Sequence, residues 1–226
     1  MRLIRLMLVA FVLGVPSAAL AQEWNDYMST VDKFSITFPG QPTVTEIKWP
    51  SEYGAVFPGR VYTVRQGVGT YSVTVIDYTQ SEKIHSAIAK PESFQDPRYW
   101  QIDIQASIQY AATKFRQRPG SKVTYDAWHY IDLVEGHQLQ LSNQDQTRTF
   151  VGIYLHENRL YIVEATVPQG YPPPGLFQQN LSFLDEKGGR VRYNEIYSNR
   201  LPPLPARGGG AGRGGGGGGG GRGGAQ

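Results

Sequence analysis

The spacing of apolar residues limits most strongly what this chain can fold into. Phe34, Ile36 and Phe38 alternate with polar residues and are followed by Pro39-Gly40, which predicts a strand and then a turn. The same alternation predicts further strands at residues 44–49, 60–65 and 71–78. The first part of the chain is therefore expected to form antiparallel strands.

The apolar spacing then changes to that of a helix. Apolar residues recur three and four positions apart and form one stripe over about five turns. They are Trp100, Ile104, Ile108, Ala111, Ala112 and Phe115. Asp96 and Pro97 suit the N-cap and the first helical position, and Pro119-Gly120 would end the helix. A short helix is expected before it, at residues 82–89.

After this helix, a meander of four strands is predicted, at residues 122–133, 136–141, 149–155 and 159–167. Their turns are predicted at Glu135-Gly136, 143–146 and Glu157-Asn158, where the residues accept tight or left-handed backbone. Both faces of the last two strands are apolar. A sheet with one face in solvent would alternate apolar and polar residues, so this one is expected to be covered on both sides.

A second helix is predicted after Pro172-Pro173-Pro174. Its apolar stripe would comprise Leu176, Phe177, Leu181 and Leu184, and Gly188-Gly189 would end it. Two helices and a sheet with two apolar faces predict one α+β domain, in which helices sandwich an antiparallel sheet. The domain is expected to span residues 22–199.

The first 21 residues have the three zones of a secretory signal peptide. Arg2 and Arg5 form a basic start, residues 6–15 are apolar, and Ala19-Leu20-Ala21 fits the cleavage site. A membrane-spanning helix needs roughly twenty apolar residues, and this run is too short. A periplasmic or secreted protein that begins at Gln22 is therefore expected. The chain has no cysteine, which excludes disulfides and a lipid attached to cysteine.

The other end of the chain is expected to be a spacer and a tail. Residues 200–206 include the run LPPLP, which favours extended polyproline II. Residues 207–226 are nearly all glycine and arginine and have nothing to bury, which predicts disorder. The arginines favour weak attraction to anionic surfaces.

Charge gives no indication of a specific nucleic-acid partner. Of the 22 Lys and Arg residues, two lie in the predicted signal peptide and three in the tail, so residues 22–206 carry 17 basic and 19 acidic residues. A nucleic-acid-binding fold usually has a basic face. No nucleotide-binding motif follows a predicted strand, and no cofactor is expected.

Three histidines, His129, His137 and His156, raise the question of a zinc site. With a turn at Glu135-Gly136, His129 would lie opposite Ser142, roughly 16 Å along the strand from His137. Zinc ligands lie about 2 Å from the metal, so these two histidines could not share one ion. No metal site is expected.

The enzymatic alternative depends on a carboxylate. The chain has no cysteine nucleophile and no G-x-S-x-G serine motif. Glu164 lies among apolar neighbours such as Ile162 and Val151, and a half-buried carboxylate can act as an acid or base. A weak hydrolase that uses Glu164 is therefore one hypothesis. The more ordinary role of such a residue is to pair with an arginine.

Four aromatic residues are the predicted ligand-binding residues: Trp128, Tyr130, Tyr154 and Tyr161. Each has an apolar body and a polar tip, which suits sugars, peptides or a protein partner. The alternative is that these side chains pack in the core beneath a helix.

The opening strand FSITFPGQP, the order of the predicted elements and the closing segment GLFQQNLSFLD resemble exported proteins of the PsbP/Mog1-like group, which includes the DcrB-like periplasmic proteins. The likeness covers most of residues 34–184 and is greatest to small uncharacterised exported proteins of alphaproteobacteria. The group's fold is an antiparallel sheet between helical layers. Its members are mostly accessory or binding proteins, so the resemblance implies an exported, non-enzymatic protein that binds an envelope protein or a small ligand.

Overall fold

The computed structural model describes residues 24–88, 98–199 and 201–202. The predicted signal peptide, most of the spacer and the whole tail lie outside these ranges, as do Asp96 and Pro97 at the predicted start of the long helix. In the described part of the chain, no helix has both the length and the apolarity to cross a membrane.

The strands, in chain order, are β1 (Asn25–Ser29), β2 (Phe34–Phe38), β3 (Thr43–Pro50), β4 (Val56–Gln66), β5 (Gly69–Asp77), β6 (Ser121–Ile131), β7 (Val134–Asn143), β8 (Thr147–His156), β9 (Arg159–Pro168) and β10 (Ser182–Phe183). The helices are α1 (Ser81–Ser86), α2 (Tyr99–Arg116) and α3 (Gly175–Gln179). A small sheet has the order β1-β2-β10, and a seven-stranded sheet has the order β3-β4-β5-β9-β8-β7-β6. The prediction of antiparallel strands with a long helix between them is confirmed.

The seven-stranded sheet is covered on both faces, because its central strands are apolar on both. In β9, Tyr161 and Val163 belong to a core beneath the small sheet, and Leu160 and Ile162 belong to a core beneath α2. The α+β prediction therefore holds in outline. The prediction that helices cover both faces was wrong for one face, where β1, β2, β10 and the short helix α3 lie instead.

The predicted closing helix is only five residues long. Leu176 is 89% exposed, whereas Leu181 and Phe183 are buried in the core beneath the small sheet. Ser182 and Phe183 pair with β2 rather than continue the helix. The open edge of β2 offers backbone hydrogen bonds to this segment, and the apolar run is too short for its period to distinguish helix from strand.

The hairpin between β6 and β7 turns earlier than the predicted Glu135-Gly136. Ile131 pairs with Val134, and Asp132 (φ 49°) and Leu133 (φ 62°) form the turn. A leucine with positive φ is uncommon, so this turn leaves little trace in the sequence. Gly136 serves packing instead, because a Cβ at this position would lie 2.2 Å from Cδ1 of Tyr154.

The turn between β1 and β2 binds to the large sheet through Asp32, whose side chain is buried. Arg60 donates to one carboxylate oxygen and Tyr62 to the other, each at 2.5 Å. Tyr161 donates to the backbone oxygen of Asp32 at 2.8 Å. Burial and the carboxylate of Asp32 raise the pKa of Tyr62. These contacts fix the small sheet on the large one and so position the residues that precede β1.

Candidate functional site

An open groove of about 740 Å³ lies at one end of the molecule. It is bounded by the β4–β5 hairpin, the segment from Tyr171 to α3, and Trp24 before β1. We call it the aromatic groove, because Trp24, Tyr71, Tyr171 and Phe177 contribute to its lining.

The sequence builds this groove with glycine and proline. Gln66 pairs with Gly69, and Gly67 has φ 56°, a conformation that favours glycine, so the hairpin turns within two residues. A Cβ on Gly69 would lie 2.9 Å from the ring of Tyr71, so glycine leaves room for that ring. On the other side, Pro172-Pro173-Pro174 forms a wall without backbone N–H groups.

The floor of the groove is a packed set of rings. The centroid of the Tyr71 ring lies 5.3 Å from that of Trp24 and 5.2 Å from that of Phe177, both in edge-to-face geometry. Phe177 is buried, whereas the rim is exposed: Val68 is 60% exposed and Tyr171 53%. Val68, Tyr171 and Leu176 therefore form an exposed apolar rim above the aromatic floor.

The groove has one buried acceptor without a partner. Oε1 of Gln66 is shielded from solvent and accepts no hydrogen bond from the residues that the structure describes. In contrast, Thr37 and Asn180 are hydrogen-bonded to each other at 2.6 Å, and Thr37 also donates to Asp26. Buried acceptors are nearly always paired, so this oxygen would gain a partner if the Gln66 side chain turned into the groove toward an N–H or O–H group of a ligand.

Among the residues that the structure describes, the groove lining contains no Asp, Glu, His, Lys or Arg. Its titratable groups are Tyr71 and Tyr171, and burial raises the pKa of Tyr71 above its usual value. Tyr71 is therefore neutral at neutral pH. The groove offers apolar contacts and hydrogen bonds but no carboxylate or imidazole that could act as a general acid or base.

The structure does not bring the four predicted aromatic residues into one site. Trp128 and Tyr130 are exposed on the edge strand β6, 57% and 44% respectively, and Trp128 pairs with His137 on the face toward α2. Tyr154 and Tyr161 are fully buried in the core on the opposite face. Their hydroxyl groups bond within the protein, with His129 at 3.2 Å and with the backbone oxygen of Asp32.

The predicted separation of His129 and His137 was wrong. Because the hairpin turns earlier, His129 pairs with Gly136, next to His137. Neighbouring positions of a strand point to opposite faces, so His137 contacts Arg116 and Asp126 while His129 contacts Tyr154. In the described ranges, no three His, Cys, Asp or Glu side chains lie close enough together to hold a metal ion.

Arg116, Asp126 and His137 form a polar cluster between the end of α2 and β6. Arg116 donates to both carboxylate oxygens of Asp126, from Nε at 2.7 Å and from Nη2 at 3.0 Å. His137 also contacts that carboxylate through Nε2. The hydrogen bond from Arg116 is the main reason that the pKa of Asp126 falls to about 2. The cluster joins the helix to the sheet edge and compensates the charge of Asp126.

Glu164, the carboxylate of the hydrolase hypothesis, pairs with an arginine. Nη1 of Arg118 donates to its Oε1 at 2.8 Å, and both side chains are about one-third exposed. Glu164 is not part of the aromatic groove.

Sequence reasoning missed the residues of the aromatic groove, because three distant segments supply them. The Gly67-Val68-Gly69 turn and the triple proline were recognisable, and each carries an exposed apolar residue beside it. An apolar side chain inside a predicted turn, such as Val68, is the signal that could have drawn attention to this end of the molecule.

Comparisons with family models and with curated proteins give no match. Among solved structures, the chain is similar to the PsbP protein (CyanoP) of the cyanobacterium Synechocystis, at 11% identity, over 70% of this chain and 88% of that one, with a TM-score of 0.37. It is also similar to a protein of unknown function from Pseudomonas aeruginosa, at 12% identity, over 67% of this chain and 97% of that one, with a TM-score of 0.28. Both TM-scores are low, so membership of the PsbP/Mog1-like group stays a prediction.

Proposed function

We propose that this protein is a non-enzymatic accessory protein that binds an extended apolar segment of a partner polypeptide in the aromatic groove. The observation that carries the proposal is the exposed apolar rim of Val68, Tyr171 and Leu176 above a floor of packed rings. Contiguous exposed apolar side chains mark interaction surfaces, and aromatic residues are enriched there.

The chemistry of the groove favours a peptide over other ligands. A fatty acid or a phosphate ester would need a cation for its head group, and the described part of the lining has none. A sugar would need several donors and acceptors, whereas Gln66 is the polar side chain with an unused buried acceptor. A peptide backbone supplies an N–H group that Gln66 can accept once its side chain turns into the groove, and the peptide's side chains cover the rings.

The composition of the groove also supports binding without catalysis. The hydrolase alternative would need a second acid or base beside Glu164, whose charge Arg118 compensates. General acid–base catalysis requires such groups within hydrogen-bond reach of the reacting atoms.

The proposed site of action is the periplasm or the exterior of the cell. The basic start, apolar run and Ala19-Leu20-Ala21 of the first 21 residues support export with cleavage before Gln22. In this setting the arginines of the glycine-rich tail favour weak attraction to anionic surfaces. N-terminal sequencing of the exported protein is expected to begin at Gln22, and an intact Met1 would contradict export with cleavage.

Replacing Leu176 with serine is expected to weaken peptide binding about tenfold, because it removes one apolar contact from the rim. Leu176 is 89% exposed, so the fold should be unaffected. The measurement is fluorescence anisotropy with short capped peptides that carry leucine, phenylalanine or proline at alternate positions, compared with serine-substituted peptides.

The matched control is Val56→Ser, at the opposite end of β4 from the groove, where valine is 50% exposed. This variant should bind the peptides as the wild-type protein does. Equal affinity for apolar and serine-substituted peptides, or equal losses in the two variants, would contradict the proposal.

A further inference from the structure

The outer edge of β6 is an open end of the seven-stranded sheet. Within the described ranges, no strand pairs with its outer side. Tyr125, Trp128 and Tyr130 are 44%, 57% and 44% exposed along this strand. Edge strands normally carry features that block pairing, so three exposed aromatic side chains need a reason.

The other edge of the sheet, β3, has such features. It carries Glu46 and Lys48 and ends at Pro50. On β6 the blocking features lie in the first half, where Lys122 precedes a register shift between Val123 and Tyr125. The second half of β6 has no comparable protection.

The hairpin turn shows which backbone groups face outward on β6. Ile131 and Val134 flank a two-residue turn, so they form a hydrogen-bonded pair. Hydrogen-bonded and non-hydrogen-bonded pairs alternate in an antiparallel ladder. The backbone N–H and C=O groups of Asp126, Trp128 and Tyr130 therefore point away from β7.

Asp126 is the charged residue among these three, and its charge does not prevent a second strand from pairing at this edge. Arg116 holds both carboxylate oxygens of Asp126, so the charge is compensated and turned toward α2. Among the described residues, the edge from Tyr125 to Ile131 thus combines outward backbone groups that no strand pairs with, exposed rings and no uncompensated carboxylate or ammonium group.

We propose that β6 pairs antiparallel with β6 of a second copy of this chain, in a register centred on Trp128. In this register Trp128 faces Trp128 of the second copy, and Tyr130 faces Asp126. On the other side of the strand, Tyr125 faces Ile131. Each exposed ring then gains a cross-strand neighbour, and no two like charges meet.

The other registers that match outward-facing residues are less favourable. A register centred on Asp126 brings two Asp126 side chains together. One centred on His129 sets Asp126 opposite Asp132, which lies in the turn and is bonded to Arg192, so Asp126 would have no strand residue as its partner. One centred on Ala127 sets Trp128 against Asp126 instead of a second ring. The register centred on Trp128 is favoured because it sets the most exposed ring of the edge against its own copy and places no two carboxylates opposite each other. The two sheets then become continuous across a two-fold axis.

Sedimentation analysis of the purified protein over a concentration series tests the pairing. A reversible monomer–dimer equilibrium is expected, and Trp128→Lys should raise its dissociation constant at least about tenfold, because it replaces facing rings with facing charges. The control is Val44→Lys on the opposite edge strand β3, where valine is 49% exposed. A monomer at every concentration, or a loss of dimer in the Val44 variant alone, would overturn the proposal.

Two further measurements test the pairing and its register, and neither depends on whether the Trp128→Lys variant folds. The chain has no cysteine, so Trp128→Cys carries a single thiol. Residues directly opposite in a hydrogen-bonded pair have Cα atoms about 5.5 Å apart, a distance that suits a disulfide. Mild oxidation should therefore cross-link two copies of the Trp128→Cys variant. The control variant Val44→Cys should not cross-link. In the wild-type protein, amide exchange at Asp126, Trp128 and Tyr130 should slow as concentration rises. Exchange that is independent of concentration would overturn the pairing, and absence of the cross-link in a dimeric protein would overturn the register.

Discussion

Replacing Asp103 with alanine is expected to lower the free energy of unfolding by about 3 to 4 kcal/mol, because it removes one member of a buried pair. Oδ2 of Asp103 lies 2.8 Å from Nε2 of His85, and both side chains are almost fully buried. The pair joins α1 to α2 beside the core beneath α2, where the ring of Phe57 lies 6.0 Å from that of His85. Urea denaturation with a constant m-value measures the change.

The control for this variant is Gln105→Ala, two residues further along α2. Gln105 is exposed, so its replacement should change the stability by no more than about 0.5 kcal/mol. A double variant, His85→Leu with Asp103→Leu, should recover much of the loss, because apolar replacement of both members of a buried pair is often nearly neutral. Equal midpoints for Asp103→Ala and Gln105→Ala would show that the pair does not stabilise the fold.

Acidification from pH 6.5 to pH 4 is expected to remove about 3 kcal/mol of stability through His156. The side chain is fully buried, stacks on Phe183 with centroids 4.4 Å apart, and contacts the Tyr193 hydroxyl through Nε2 at 2.6 Å. Burial lowers its pKa to about 4, with Lys33 and Arg159 acting in the same direction and Glu157 against it.

The direction follows from which state binds the proton more readily. The unfolded chain takes up a proton on His156 near pH 6.5, whereas the folded protein does so only near pH 4. The stabilisation is therefore complete above about pH 6.5, declines as the pH falls through this window, and is lost below about pH 4.

Urea unfolding of the wild-type protein and of His156→Phe at a series of pH values measures this effect. Phenylalanine keeps the stack on Phe183 but cannot titrate, so the variant should lose most of the pH dependence between pH 4 and 6.5. Burial also lowers the pKa of His129, which contributes with the same sign, so His129→Phe separates the two. An unchanged slope in His156→Phe would rule out His156 as the group responsible.

The spacing of apolar residues was enough to predict those helices and strands in which the apolar residues of the pattern are the buried ones. The stripe of α2 and the alternation of β4 and β5 are repeated often enough to define a helix or a strand, and the apolar runs of β8 and β9 have the length of buried strands. By contrast, β1 has the sequence NDYMS and becomes a strand because it pairs with β2. Its structure depends on a partner rather than on its own apolar pattern.

The error in the predicted turn between β6 and β7 also made the predicted position of His129 wrong. Gly136 was assigned to a turn, although it is a strand residue that makes room for the ring of Tyr154. Asp132 and Leu133 turn the chain instead, and this shift brings His129 next to His137. A glycine needed for packing and one needed for a turn look the same in the sequence.

The aromatic groove could not be predicted in the same way, because it depends on contacts between distant segments. Trp24, Tyr71 and Phe177 come together only once the small sheet and α3 lie on the large sheet. The four aromatic residues singled out from the sequence are neighbours in the strand pattern, but the alternation of β6 and the packing of the core divide them between two faces.

Site-specific photo-crosslinking in the native cell envelope tests the central claim most directly. A photoreactive phenylalanine derivative would replace Leu176 on the rim of the groove and, as the control, Val56 at the opposite end of β4. The proposed function predicts that position 176 cross-links to a discrete partner polypeptide, that apolar peptides compete for it, and that position 56 does not cross-link. Cross-links of equal yield at both positions, or none at position 176, would contradict the account.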